Sequence, residues 1–166
     1  MGPAAFRQSH SVLVVDDNAA TKYSVARSLR ACGYHTVEAS SGAEALELSE
    51  FVSAVVLDIH LPDLDGLEVC RLLRARRSTA RLPVIHMSAI RIEESDAVAA
   101  QESGADGLLA APVNPSELAS ALDRLLTTPA AAHGAEGEVG ETAPGARSGA
   151  GTQSILRQMT DSEKKP

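Results

Sequence analysis

The stretch AVVLDIHLPDLDGLE, residues 54–68, decides the fold. Ala54, Val55, Val56 and Leu57 form an apolar run that stops at Asp58, and a loop with Pro62, Asp63, Asp65 and Gly66 follows. An apolar run without alternation fits a strand buried on both faces of a parallel sheet. In such sheets the chemistry gathers just beyond the carboxyl ends of the strands. Asp58 stands at that place.

The same pattern occurs twice more. Ser11, Val12, Leu13, Val14 and Val15 lead into Asp16, Asp17 and Asn18, and a third apolar run, 83–87, ends at the hydroxyl of Ser88. Laid side by side, these strands bring three carboxylates and a hydroxyl to one sheet edge. Anions about 4–6 Å apart repel by several kcal/mol at an effective dielectric of roughly 20. A hard divalent cation relieves that repulsion, and Mg²⁺ suits a site of carboxylates, a carbonyl and retained water. It also neutralises charge on an incoming phosphoryl group.

These residues resemble a receiver (phosphoacceptor) domain of the two-component response-regulator family. The resemblance is carried by Asp16-Asp17, Asp58, the Leu61-Pro62-Asp63-Leu64-Asp65-Gly66 loop, Ser88-Ala89 and Pro112, and it spans residues 11–126. It implies an α/β fold, a flavodoxin-like (βα)5 three-layer sandwich whose parallel sheet has the order 2-1-3-4-5. It implies that Asp58 accepts a phosphoryl group and that Ser88 contacts it. Mg²⁺ would be held by Asp16, Asp17, Asp58 and the backbone carbonyl of His60. It further implies a cis bond before Pro112, and a histidine kinase or phosphotransfer protein as partner.

Outward from this centre, the chain alternates strand and helix. The pattern predicts helices over 19–32, from Ser41-Gly42-Ala43-Glu44 onward (a capping box), after Asp65, over 93–103 and from Ser116 to Leu126. Short strands are expected at 35–38 and 107–110. Residues 1–10 read as an irregular leader. From Thr127 the composition shifts to Ala, Gly, Ser, Thr and Glu with no aromatic residue, so 127–166 reads as a low-complexity tail that buries too little apolar surface to order itself, with a short helix at 154–165 as the alternative.

With 166 residues and 44% hydrophobic content, the chain has material for one core. A net charge of −7 argues against nonspecific nucleic-acid binding. No 18-residue apolar run offers a membrane span, and the N-terminus lacks a signal-peptide apolar region, so a cytoplasmic protein is expected. Cys32 and Cys70 lack metal-ligand spacing and read as small core residues. Arg71, Arg74, Arg76 and Arg77 read as outward-facing charges at a helix C-terminus rather than as a nucleic-acid patch.

The chain departs from the family pattern in two places. Receivers place a Lys before the proline that follows the fifth strand, and here that position is Ala111. They commonly place an aromatic residue earlier on that strand, where this chain has Leu108. Arg91, three residues after Ser88, is either a replacement cation or a solvated surface charge. Ile90, two residues after Ser88, is expected to hinder water attack on a phosphoryl group.

Three function classes compete. The first is a phosphoacceptor, not a turnover enzyme, whose output through the face of its fourth and fifth helices is weakened. The second is a pseudo-receiver that binds partners independently of phosphorylation. The third is a haloacid-dehalogenase-like phosphatase, which requires a second acid two residues after its nucleophile, where this chain has His60.

Overall fold

The computed structural model describes residues 2–89 and 91–128. Ile90 and the segment 129–166 lie outside the described residues, and so do the expectations placed on them. Five strands, β1 (Ser11–Val15), β2 (His35–Ala39), β3 (Ala54–Asp58), β4 (Val84–Ser88) and β5 (Gly107–Ala110), form one parallel sheet in the order β2-β1-β3-β4-β5. Every residue of β3 is buried, as its unbroken apolar run predicts. The order places β1, β3 and β4 side by side, with Val15 beside Leu57 and Asp58 beside Met87.

Helices cover both faces. On one, Val12, Val14, Val56, Ile85 and Met87 pack against Val25, Ala26 and Leu29 of α2 (Ala19–Ala31) and Leu118, Ala121 and Leu122 of α6 (Pro115–Thr127). On the other, Leu13, Val15, Val55 and Leu57 meet Ala45 of α3 (Gly42–Leu48) and Val69, Cys70 and Leu73 of α4 (Gly66–Ala75). Fully burying each Leu or Val contributes about 1.5–3 kcal/mol, so these two layers carry the fold despite an aromatic content of 2%. Ile59, Ile92 and Leu108 form a smaller cluster with Ala97 and Ala100 of α5 (Glu94–Glu102). Cys70 is buried, Cys32 is half-buried against the first layer, and both are free thiols.

Several local expectations need correction. The leader holds a helix, α1 (Pro3–Gln8), with Pro at its start. Arg7 pins it: Nε and Nη2 donate to the Asp123 carboxylate at 3.0 and 2.6 Å, and Nη1 donates to the Cys32 carbonyl at 3.0 Å. Six residues are too few to show a helical period, so tertiary contacts decide this helix. The capping box is half as expected. Ser41 Oγ accepts from Glu44 N at 3.2 Å, but Glu44 Oε2 accepts from the N–H of Ser40.

Arg74 does not face outward. Its guanidinium donates to the carbonyls of Gly104 (2.8 Å) and Leu82 (2.6 Å) and to Asp106 Oδ2 (3.0 Å), which also accepts from Val84 N at 2.9 Å. The end of α4 abuts the starts of β4 and β5, where loop carbonyls need donors. Gly104, at φ +90°, takes the left-handed conformation there with Arg74 Cγ 2.9 Å from where a Cβ would stand. Arg71, Arg76 and Arg77 are exposed, as expected, with Arg71 bonding Glu68 Oε2 and Arg76 the Leu46 carbonyl at the surface.

Candidate functional site

Asp16, Asp17 and Asp58 meet at the carboxyl edge of the sheet, each offering an oxygen within 4.8 Å of the others. Asp16 and Asp58 are buried, and Asp17 is exposed. Local hydrogen bonds fix the two buried ones. Asp16 Oδ1 accepts from Asn18 N at 2.8 Å, and Asp58 Oδ1 accepts from His60 N at 3.2 Å. Asn18 then caps α2 by accepting from Thr21 N at 3.0 Å. The residues after each strand therefore turn back on the strand's own carboxylate.

Burial, more than mutual repulsion, disfavours ionisation here. It pushes the Asp58 carboxyl up to about 6, with the charges of Asp16 and Asp17 adding to the shift and the His60 N–H opposing it. Asp16 is raised by burial as well, opposed by the Asn18 N–H and assisted by the charge of Asp17. Buried carboxylates held above their ordinary range by desolvation and like charge mark a candidate functional site.

The acidic loop is anchored at both ends. Asp63 accepts from the N–H groups of Gly42 (2.8 Å) and Ala43 (2.9 Å), which hold its carboxyl below the ordinary range. Asp65 caps α4 by accepting from Leu67 N at 2.8 Å. Gly66 N donates to the Ile59 carbonyl at 2.6 Å, and a Cβ on Gly66 would stand 2.1 Å from the Asp58 carbonyl oxygen. Only glycine fits that approach, because any side chain displaces the backbone of Asp58 itself. Sequence reading names Gly66 and Asp63 as loop residues and misses these roles. The Asp-x-Asp-Gly spacing just before a helix is the signal that was available.

Ser88 ends β4 and is buried, and its carbonyl accepts from Ala111 N at 2.8 Å. Ala111–Pro112 is a cis peptide, as the resemblance implies. Leu108 is fully buried in the cluster beneath α5. Arg91 is exposed in the connection from β4 to α5, and His60 is exposed beside Asp58.

Residues 12–123 match the family model described as the response regulator receiver domain. The chain belongs to that family. It is 44% identical over 122 residues to the response regulator MprA of Mycolicibacterium vanbaalenii, covering 71% of this chain and 52% of that protein. With MprA of Mycobacterium ulcerans it shares 43% over 117 residues, 69% of this chain and 49% of the relative. The chain thus spans about half the length of the curated relatives it matches.

Among solved structures it is similar to a response regulator from Chloroflexus aurantiacus (TM-score 0.68, 32% identity, 72% of this chain and 98% of that one). It is also similar to the receiver domain of sensor histidine kinase PA1611 from Pseudomonas aeruginosa, with a magnesium ion coordinated in its active site cleft (TM-score 0.66, 28% identity, 72% and 98% covered). This is a receiver domain of two-component signalling, and no helix among its described residues is long and apolar enough to cross a membrane.

Proposed function

We propose that this receiver takes a phosphoryl group onto Asp58 from a phosphohistidine of a histidine kinase or phosphotransfer protein. The observation that carries the reading is the meeting of Asp16, Asp17 and Asp58 within 4.8 Å at the strand ends, with Ser88 at the end of the adjoining strand. An Asp58 oxygen forms the new O–P bond in line with the breaking P–N bond, and the imidazole nitrogen leaves with the electron pair and takes up a proton. The Asp63 and Gly66 contacts hold the loop behind Asp58, so the nucleophile stays in position without reorganisation.

An all-oxygen donor set of this charge fits Mg²⁺, with Asp16, Asp17, Asp58 and the His60 carbonyl as its holders. Bound there, the ion supplies positive charge opposite the carboxylates and the transferring phosphoryl oxygens. Ser88 donates its hydroxyl to the phosphoryl group once it arrives. The domain is a stoichiometric acceptor rather than a turnover enzyme. The direct test is incubation with phosphoramidate, a small N–P donor, with and without Mg²⁺. Label that requires Mg²⁺ supports the reading, and an unlabelled protein favours the phosphorylation-independent binding module that the Ala111 substitution suggests.

Output through α5 and α6 is weak in this reading. A switch requires contacts that differ between its states; Ala111 offers a phosphoryl oxygen no charge, and Leu108 already fills the core under α5. A hydrogen bond to a charged group contributes about 1.5–3 kcal/mol, which Ala111→Lys restores. That variant is expected to enlarge, severalfold, the change in amide exchange over residues 93–126 when beryllium fluoride is added as a phosphoryl mimic. A large change in the unmodified protein would contradict weak coupling and point to Arg91 as the replacement cation.

A further inference from the structure

Lys22 sits where helix physics disfavours a cation. It is the fourth residue of α2, whose first turn contains no acid, and the positive end of a helix dipole repels an ammonium group. Yet the side chain is half-buried and held, its Nζ donating to Ser40 Oγ in the loop between β2 and α3. An anchored Lys also gives up rotamer freedom that an exposed one keeps. Something must offset both costs, and the geometry shows what. Ser40 follows Ala39, whose carbonyl accepts from Asp16 N at 3.1 Å. Lys22 N in turn donates to the carbonyl of Asn18, whose own N–H holds Asp16 Oδ1. Both ends of the Lys22 anchor are thus tied to Asp16, which puts the ammonium charge on that side of the pocket.

We propose that Lys22 is a positioning residue of the pocket: from its anchor on Ser40 it places a fixed positive charge on the Asp16 side of the three carboxylates, taking over part of the compensation that Ala111 cannot give. The proposal deepens the phosphoacceptor reading and rests on it for its kinetic consequence alone. A positive charge there has two effects of opposite sign. It repels a bound Mg²⁺, and it attracts an anionic phosphodonor. A role limited to packing moves neither in this paired way.

The test compares wild type with Lys22→Met, Lys22→Arg and Ser40→Ala. Mg²⁺ binding is measured by titration calorimetry, and labelling by phosphoramidate is followed at saturating Mg²⁺. Lys22→Met is expected to bind Mg²⁺ severalfold more tightly while its phosphoramidate KM rises about tenfold, the scale of one lost charged contact. Lys22→Arg should stay near wild type in both, and Ser40→Ala should fall between. If Lys22→Met leaves Mg²⁺ affinity unchanged, or weakens it along with thermal stability, the inference is overturned. If the wild type takes no label, the phosphoacceptor reading fails, and the Mg²⁺ comparison still decides the placement of the charge.

Discussion

Asp58→Asn will take no phosphoryl label, and without metal it will be more stable than the wild type. The loss of label follows from the proposed role of Asp58, whose attacking oxygen the substitution removes. The gain in stability follows first from burial, which penalises the charged carboxylate, and second from the cluster: one of three carboxylates within 4.8 Å of one another disappears, and such a like-charge contact costs about 1–3 kcal/mol at an effective dielectric between roughly 20 and 80. The effect depends on pH in a way that can be signed. Burial raises the folded Asp58 pKa from 3.8 to about 6, so the metal-free fold has this contribution in full below about pH 4 and loses it as pH rises through 6. His86, fully buried on β4 between the Leu57 carbonyl and Ser103 Oγ, works in the opposite direction. Its burial lowers the folded pKa from 6.5 to about 4, so its contribution is present above 6.5 and lost as pH falls through 4. The two trends offset each other in the wild type across this window. Urea denaturation of the metal-free proteins between pH 4 and 7 should therefore give a flatter profile for wild type, and one that climbs with pH for Asp58→Asn. Equal stability at pH 7 would show that neither burial nor the neighbouring carboxylates penalise the Asp58 charge.

Asp106→Ala carries the largest structural cost. Its carboxylate is 5% exposed and pairs with Arg74, itself 17% exposed, while also accepting from Val84 N. Removing it leaves a largely buried guanidinium with neutral carbonyl acceptors but no counter-charge, and takes the acceptor from Val84 N. Breaking such a pair costs about 3–5 kcal/mol, a large share of the 5–15 kcal/mol that typically holds a domain together. The double variant Arg74→Met/Asp106→Leu should recover only part of that loss, because no charge is left behind but the Gly104 and Leu82 carbonyls and Val84 N lose these partners. A loss under about 1 kcal/mol in Asp106→Ala, read from urea midpoints by circular dichroism, would show that solvent reaches the pair.

What was legible in the sequence was what local pattern controls. The apolar runs before Asp16 and Asp58 are uninterrupted, and the one before Ser88 is broken only by the buried His86, because both sheet faces are covered; the strand order then places Val15 beside Leu57 and Asp58 beside Met87. The helix expected after Asp65, which caps it by accepting from Leu67 N, is likewise a short-range signal. Less was visible where long-range partners decide. Arg74 lies in a basic run whose neighbours face water, and only the approach of the loops at Leu82 and Gly104 turns it inward. Arg7 meets Asp123 across 116 residues, which no window of sequence contains. Lys22 carries no local signal, because its partner Ser40 lies 18 residues away.

The central claim, that Asp58 is the phosphoacceptor of a three-carboxylate pocket, is tested most directly by trapping the modified residue. The protein is incubated with phosphoramidate and Mg²⁺, reduced with borohydride, which converts an acyl phosphate to an alcohol, and mapped by peptide mass. The account predicts one modified residue per chain, Asp58, formed only with Mg²⁺ and absent from Asp58→Asn. Reduction at any other carboxylate, or none in a protein whose Asp16, Asp17 and Asp58 are intact, would contradict it.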